Sequence, residues 1–462
     1  MNGHGDPAGG ERPGSLTLVG AVSLGTGVMI GAGIFALTGQ VAELAGDWFP
    51  VVFLAAALVV AASAYSYVKL SNAFPSSGGI AMFLKEEYGL GVTTGVFALF
   101  MFMSMVINES LVARTFGAYT LQLVNVDNPG FWVPALGVAL LVAAFVVNIA
   151  GNTLIQATEG TMAAIKVVGL GVLAIAGIAL ADWANLTNGT ENSASADPSA
   201  KGFLAAVALS ILAYKGFTTI TNSGGEIVDP HRNTGRAIVI AIAICTALYL
   251  VLAVAVAGNL TISEIVAAQD FALARAAEPA FGDAGVWFTV AIAIVATASG
   301  VIASVFAASR MLAMMTRMTQ VPHRHFGMPG TVRTHTTVYT VGFAITLTVL
   351  FDLKRVAALG AIFYLLMDIA IHWGIIRHLR DRINVRVGIV ATAIVLDVIV
   401  LGAFVWVKVT TDPLILVISA VAIALIVISE ALFMRSHTDA DGTMSMGMGT
   451  DLPPADGPPD PR

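Results

Sequence analysis

Long apolar runs with few charges recur along the chain and determine its predicted architecture. Two examples, Ala237–Leu260 and Ala284–Ser309, contain no Asp, Glu, Lys or Arg. Each is long enough to cross the roughly 30 Å hydrocarbon core of a bilayer as a helix. Neither run alternates polar and apolar positions as the strands of a membrane barrel do. The pattern therefore predicts an all-α integral membrane protein.

The same pattern along the whole chain predicts twelve transmembrane helices. They lie near residues 15–44, 48–73, 91–121, 131–150, 155–181, 201–222, 236–258, 284–313, 335–351, 355–376, 387–407 and 413–434. We expect the polar segment 1–14 to form a cytoplasmic tail. The segment 435–462, which is rich in Pro, Gly, Met and Asp, is expected to form a second, disordered cytoplasmic tail.

The distribution of Lys and Arg predicts the orientation of these helices. With both ends in the cytoplasm, fifteen of these residues flank the spans on the inner side. The outer side carries five, namely Lys201, Arg275, Lys354, Arg355 and Lys408. Positive charge concentrates on the cytoplasmic side of membrane proteins, so we expect a multi-pass protein of the cell membrane with both termini inside.

Composition and charge exclude several other classes. Hydrophobic residues make up 57% of the 462 residues and charged residues 11%, against about 25% in soluble domains. The net charge of −6 comes without a basic block, so no nucleic-acid partner is expected. The single cysteine, Cys245, cannot form an intramolecular disulfide. Two glycosylation sequons begin at Asn185 and Asn188, on the predicted outer side, and are weak signals.

The first predicted span contains four glycines in the nine residues Gly25–Gly33. Glycine lowers helix stability by about 1 kcal/mol relative to alanine, so this stretch permits a break at mid-membrane. A second half-helix starting at Gly31-Ala32-Gly33 would offer amide groups and a positive dipole to a carboxylate. The preceding half would offer carbonyls to an ammonium group. The alternative is close helix packing through small residues.

The sixth span favours the first of these interpretations. It carries Leu212-Ala213-Tyr214-Lys215-Gly216-Phe217 in its middle, a sequence poorly suited to facing lipid. With five spans between their starts, spans one and six run in opposite directions. Interrupted helices in corresponding places of two inverted halves indicate a transporter site. We therefore predict inverted repeats over about 15–181 and 201–376, with extra helices over about 387–434.

Several motifs identify a family resemblance. They are spread in order along the chain, at Gly27–Phe35, Phe74–Ile80, Ala213–Phe217, Gly225–Ile227, Asp229–Ile238 and Ser309–Arg317 with Pro322. With these motifs the sequence resembles the amino acid–polyamine–organocation (APC) superfamily, and in particular its proton-coupled amino acid permeases.

The resemblance implies a LeuT-like fold of ten core helices plus two, which works by alternating access. It implies that the substrate carboxylate lies on the amides of Gly31, Ala32 and Gly33. It also implies that carbonyls near Met29 and Ile30, and in Leu212–Lys215, hold the ammonium group. Leu212 stands where many relatives place an aromatic gate, so this sequence departs from the family pattern at that position. Tyr214 and Phe217 are candidates for gating or structural roles.

Ionisable residues inside the predicted spans are candidates for function, because the bilayer makes them costly. Lys166 lies well within span five. It is a candidate proton carrier, and the resemblance supports this role because similar permeases carry a lysine there. The alternative is a lysine that reaches to the inner interface. Glu109 of span three is its predicted companion, with Arg114 as the second candidate partner.

Other charges within or beside the spans have more than one interpretation. Lys215 favours an acidic substrate if it faces the cavity, and otherwise lends only its carbonyl. Glu226 either pairs with Arg236 or contributes to an inner gate. Asp368, His372 and Asp397 are interpreted as helix contacts or interfacial groups. No metal is expected at His323 and His325.

These observations predict secondary active transport of amino acids across the cell membrane, by proton-coupled symport. The alternative is an amino acid or polyamine exchanger without ion coupling. An enzyme is not expected, since the sequence has no metal-spacing His/Glu cluster and no nucleotide motif. The predicted partners are a small amino acid and the lipid bilayer. No cofactor is predicted, and protons are the predicted coupling ion.

Overall fold

A computed structural model describes residues 16–124, 126, 128–150, 152–183, 199–321 and 331–438. The described chain is helical, and its one β-bridge joins Leu16 to Ile227. The helices are α1 (Leu18–Ala32), α2 (Ile34–Ala45), α3 (Phe49–Ala73), α4 (Gly79–Tyr88), α5 (Val92–Thr120), α6 (Pro129–Ala150), α7 (Asn152–Ala179), α8 (Ala200–Tyr214), α9 (Phe217–Asn222), α10 (Pro230–Asn259), α11 (Ile262–Ala268), α12 (Ala272–Phe281), α13 (Asp283–Arg317), α14 (Val332–Leu350), α15 (Leu353–Gly374), α16 (Val387–Thr411) and α17 (Pro413–Thr438).

The predicted all-α membrane class is confirmed. By length and composition, ten helical stretches among the described residues can cross a membrane. α1 is apolar but shorter, and α14 is not among the ten. Every predicted span has a helical counterpart, while the count of twelve crossings stays a prediction. Apolar side chains on the outside of α17, such as Leu425 and Leu432, are largely exposed and would face lipid.

Polar residues at the helix ends fix several boundaries. The Thr17 hydroxyl accepts from the Gly20 amide at the start of α1, at 3.2 Å. Ser199 and Asp352 cap α8 and α15 in the same way. Each side chain provides a partner for an amide that has none within its helix.

Span one is two helices, α1 and α2, with Gly33 between them, so the interruption expected in this span is present. Other elements were not predicted. The short helix α4 lies between the second and third predicted spans, where no helix is predicted. The predicted outer segment Asn259–Asp283 contains α11 and α12, and a capping box at Thr261 and Glu264 begins the first of them.

The helices that carry the candidate site pack around α1. It contacts α7, α10 and α13 along its length, and α9 near its middle. A second group of helices, α15, α16 and α3, also packs together. The predicted disordered tail 435–462 begins too early, because α17 continues to Thr438. The predicted segment 1–14, residues 439–462, both sequons, Pro322, His323 and His325 lie outside the described residues.

Candidate functional site

The first helix is interrupted at a single residue, Gly33. Its φ and ψ of −79° and −86° leave the helical region, and its amide donates to the Met29 carbonyl at 2.8 Å. The predicted half-helix start at Gly31 is therefore wrong, because Gly31 and Ala32 still belong to α1. The amides without a partner inside α2 are those of its first turn, at Ile34–Ala36.

Gly33 is enclosed by the second half of the molecule. A Cβ atom there would lie 2.8 Å from the Ala213 Cβ atom and 2.8 Å from the Met29 carbonyl oxygen, and would meet the Tyr249 hydroxyl. The break of the first helix therefore faces the end of α8.

The sixth predicted span is tightened rather than broken open. Lys215 and Gly216 keep helical dihedral angles, with φ of −55° at both. The amides of Thr218 and Thr219 donate three residues back, to the carbonyls of Lys215 and Gly216, at 3.0 and 3.1 Å. Such bonds are those of a 3₁₀ turn.

This turn brings Gly216 directly against the first helix. A Cβ on Gly216 would lie 2.8 Å from the Met29 Cγ atom and 3.0 Å from the Gly25 carbonyl oxygen. Met29, Ile30 and Ala213 are completely buried. The two interruptions thus meet face to face in a closed conformation.

Two tyrosines line the contact between the breaks. The Tyr249 hydroxyl donates to the Ala213 carbonyl at 3.0 Å, and its ring lies 5.1 Å from the ring of Tyr214. The Tyr214 hydroxyl donates to the Phe53 carbonyl at 3.0 Å. Tyr249 was not among the predicted site residues. Its one signal in the sequence is an aromatic hydroxyl within the apolar run Ala237–Leu260, which also contains the hydroxyl of Thr246.

Lys166 is buried on α7 and reaches α13. Its Nζ donates to the Ser299 hydroxyl, and Ser299 donates to the Ala296 carbonyl at 3.4 Å. That carbonyl lies against Gly31, where an added Cβ would come within 2.7 Å of its oxygen. One turn of α13 therefore connects the lysine with the last turn of α1.

The expected ion pair between Glu109 and Lys166 is not formed in this conformation. The Ser304 hydroxyl, also on α13, donates to Oε1 of Glu109 at 3.3 Å. Arg114 instead donates to the Thr348 carbonyl at 2.6 Å. The two candidate proton-coupling residues therefore bind the same helix, α13, through serines five residues apart, which the sequence did not indicate.

Lys215 extends away from Gly33. Its Nζ donates to the Ser104 hydroxyl of α5 at 2.7 Å and lies 5.8 Å from the centre of the Tyr364 ring. It is also within electrostatic reach of Glu109. Leu212, one turn earlier, packs against Gly360 of α15. The Lys215 ammonium is therefore already satisfied by protein groups in the closed conformation.

Glu226 pairs with Arg310 rather than with Arg236. Both side chains are buried, and the guanidinium lies over the Phe306 ring at 3.8 Å. The Leu16 amide donates to the Glu226 carbonyl at 2.9 Å, and the Val228 amide donates to the Leu16 carbonyl at 2.9 Å. This segment joins the start of α1 to the chain just after α9.

Phe217 does not line the contact between Tyr214 and Tyr249 but packs against α3. Its ring packs edge-on against Tyr67 at 5.1 Å, on the side where α3 meets α15. Asp368, His372 and Asp397 also lie on this side, buried and close together. They are helix contacts, as expected, but they form one cluster rather than separate interfacial groups.

Comparison with known proteins gives matches over most of the chain. The family model described as amino acid permease matches residues 16–434. The chain is 31% identical to the inner membrane transport protein YbaT of Escherichia coli (strain K12). This alignment spans 397 residues, which is 85% of this chain and 90% of YbaT. It is 27% identical over 329 residues to the large neutral amino acids transporter small subunit 2 of Mus musculus, covering 66% of this chain and 59% of that protein.

Proposed function

Because the chain belongs to the amino acid permease family, a family of membrane transporters and not enzymes, we propose that it carries amino acids by proton-coupled symport. The proposed cycle exposes one closed site alternately to the two sides of the membrane. Two of the similar proteins are named as transport proteins, one of them for large neutral amino acids.

The observation that carries this proposal is the meeting of the two helix interruptions. Gly33 lies against Ala213, and Gly216 lies against Met29, so the two interrupted helices pack directly together in the buried interior. The first-turn amides of α2, at Ile34–Ala36, are suited to a carboxylate, which the positive end of the helix dipole also stabilises. The last carbonyls of α1, at Ile30 and Gly31, are suited to an ammonium group.

We infer that the substrate is a neutral α-amino acid. Lys215 donates to Ser104 and lies within reach of the Glu109 carboxylate, so it offers no unsatisfied charge for an acidic side chain. A thermal-shift screen over the twenty amino acids tests this. Stabilisation by neutral amino acids alone is expected, and stabilisation by aspartate or glutamate alone would contradict it.

Lys166 supports the coupling to protons. When charged, it donates to Ser299 and so supports the turn of α13 that packs on Gly31. Loss of its proton leaves the amine a weaker donor and removes a buried charge. The contact between α13 and α1 then loosens, which favours a change between the two access states.

Uptake by proteoliposomes with an imposed pH gradient, acidic outside, tests the coupling. The parent protein should accumulate its substrate against a concentration gradient. Lys166→Met should abolish this accumulation but retain counterflow of unlabelled against labelled substrate. Gly171→Ala is the matched control on the same helix, because an added Cβ there meets open space.

Two results would contradict the proposal. Full gradient-driven accumulation by Lys166→Met would exclude this lysine as the coupling residue. Counterflow by the parent protein without any response to pH would favour the exchanger instead.

A further inference from the structure

Three ionisable side chains are buried together where α15, α16 and α3 pack. The Nε2 atom of His372 lies 3.6 Å from Oδ1 of Asp368 and 3.7 Å from Oδ2 of Asp397. Asp368 and His372 are one turn apart on α15, and Asp397 is on α16. All three side chains are at most 1% exposed. The cluster lies outside the closed site between the helix breaks.

The cluster has polar atoms without hydrogen-bond partners. Within the part of the chain that the structure describes, this holds for both carboxylate oxygens of Asp397 and both ring nitrogens of His372. Separations of 3.6 and 3.7 Å are too long for hydrogen bonds. Because an unsatisfied buried charge is costly, the two carboxylates need positive charge from some source. Among the described residues, no Lys or Arg pairs with either of them.

The spacing of the donor atoms fits a shared metal ion. One ring nitrogen of His372, one oxygen of Asp368 and one oxygen of Asp397 all lie within 4.8 Å of one another. Zinc binds His nitrogen and carboxylate oxygen at about 2.0–2.2 Å, so two ligands of a tetrahedral site lie about 3.3–3.6 Å apart. The His372 distances to both carboxylates are at or just above that range, and a small side-chain shift closes the difference.

A supporting shell holds one ligand in place. The Ser63 hydroxyl donates to Oδ2 of Asp368 at 2.7 Å, and the Tyr67 hydroxyl donates to Oδ1 at 2.6 Å. Hydrogen bonds of this kind orient the ligands of metal sites. A π-helical segment, Ile375–Leu379, begins three residues after His372. Such segments are frequent at functional sites.

We propose that Asp368, His372 and Asp397 bind one divalent first-row transition-metal ion, of which zinc is the best match, and that this ion links α15 to α16. Two carboxylates and an imidazole are a ligand set that such ions accept, with one position left for water. The ion neutralises both carboxylates. It also connects α15 to α16, which among the described residues have no other ion pair between them. This site is independent of the transport proposal.

Cobalt is the probe for this site, because tetrahedral Co²⁺ has visible absorption bands that Zn²⁺ lacks. The site is enclosed, so the full chain is produced in cells supplied with cobalt or zinc and purified without chelator. About one ion per chain is expected by elemental analysis, as for a single occupied site. Asp397→Asn and His372→Gln should each lower the metal content to background. The matched control is His231→Gln, which removes an exposed histidine on another helix.

A cysteine variant shows whether His372 itself contacts the ion. His372→Cys should add a sulfur-to-cobalt charge-transfer band in the near ultraviolet. The parent protein should lack this band, because its one cysteine, Cys245, lies on α10. A variant that fails to fold would be replaced by Asp368→Asn, with the same loss of metal expected.

Two results would overturn the proposal. The first is a parent protein that carries no metal after growth in either ion, which would leave protons as the neutralising charge. The second is a metal content that stays unchanged in Asp397→Asn and His372→Gln but falls in His231→Gln, which would place the ion on the surface.

Discussion

The two interrupted helices differ in what their interruptions do. At Gly33 the backbone leaves the helical region, so one helix ends and a new one begins. At Lys215 and Gly216 the backbone stays helical and only tightens its hydrogen bonding. The first interruption supplies unpaired backbone groups, while the second supplies a close approach, since Gly216 touches Met29 without an intervening side chain.

The difference shows that two similar glycine patterns have different physical roles. A break that provides ligand groups depends on backbone conformation, whereas a close contact depends only on the missing Cβ atom. Substitutions at the two glycines should therefore affect transport to different extents.

The largest effect is expected for Gly33→Val. Its Cβ would meet the Tyr249 hydroxyl and would lie 2.8 Å from the Ala213 Cβ atom and from the Met29 carbonyl oxygen. Overpacking of about 3 kcal/mol corresponds to a roughly 100-fold loss of initial uptake rate in proteoliposomes. Near-normal uptake by this variant, at equal protein content, would show that the break is not at the substrate site.

A smaller effect is expected for Gly216→Ala. The backbone there is helical and accepts alanine, but an added Cβ would lie 2.5 Å from the Met29 backbone nitrogen and 2.8 Å from the Met29 Cγ atom. The side chain can shift but the backbone nitrogen cannot, so the two helices must separate slightly. We expect a cost of about 2 kcal/mol, below that of Gly33→Val because alanine adds a single carbon, and a roughly 30-fold loss of uptake. A loss larger than that of Gly33→Val would reverse the comparison.

Tyr249→Phe isolates one polar contact between the two breaks. It removes the hydrogen bond to the Ala213 carbonyl and leaves the ring in place. A loss of about 1 kcal/mol predicts a roughly 5-fold weaker substrate response in a thermal-shift titration. An unchanged midpoint of that titration would mean that the Tyr249 hydroxyl does not help to hold the site closed.

The smallest effect is expected for Gly402→Ala on α16. An added Cβ there meets nothing within 4 Å, and alanine favours a helix by about 1 kcal/mol over glycine. Uptake should match the parent, and the thermal unfolding temperature should be equal or slightly higher. A clear loss of uptake would show that glycine substitutions lower activity regardless of position.

The helices were predictable from the sequence because apolar runs of membrane length have few alternatives. The position of the break in the first span was not predictable, because each of its four glycines permits a break equally well. These are Gly25, Gly27, Gly31 and Gly33. Contacts with other helices determine the role of each glycine, since Gly25 packs against Ile220 and Gly31 packs against Ala296.

Pairing between distant helices was the least predictable feature. Ser299 and Ser304 carry no signal, because a serine in an apolar helix can bond to its own backbone. Asp368 and His372 are visible as neighbours on one helix, but nothing in the sequence places Asp397 beside them. The partner of Glu226 was also missed, because Arg310 is 84 positions away and is reached only by folding.

The pairing of Leu16 with the chain after α9 can report opening of the protein on the side predicted to be cytoplasmic. The Leu16 and Val228 amides both donate across this junction at 2.9 Å. Amide protons held in this way exchange with deuterium only when the bond opens. If the cycle separates the start of α1 from this segment, the exchange rate of these two amides reports how often that side opens, and substrate or pH should change it.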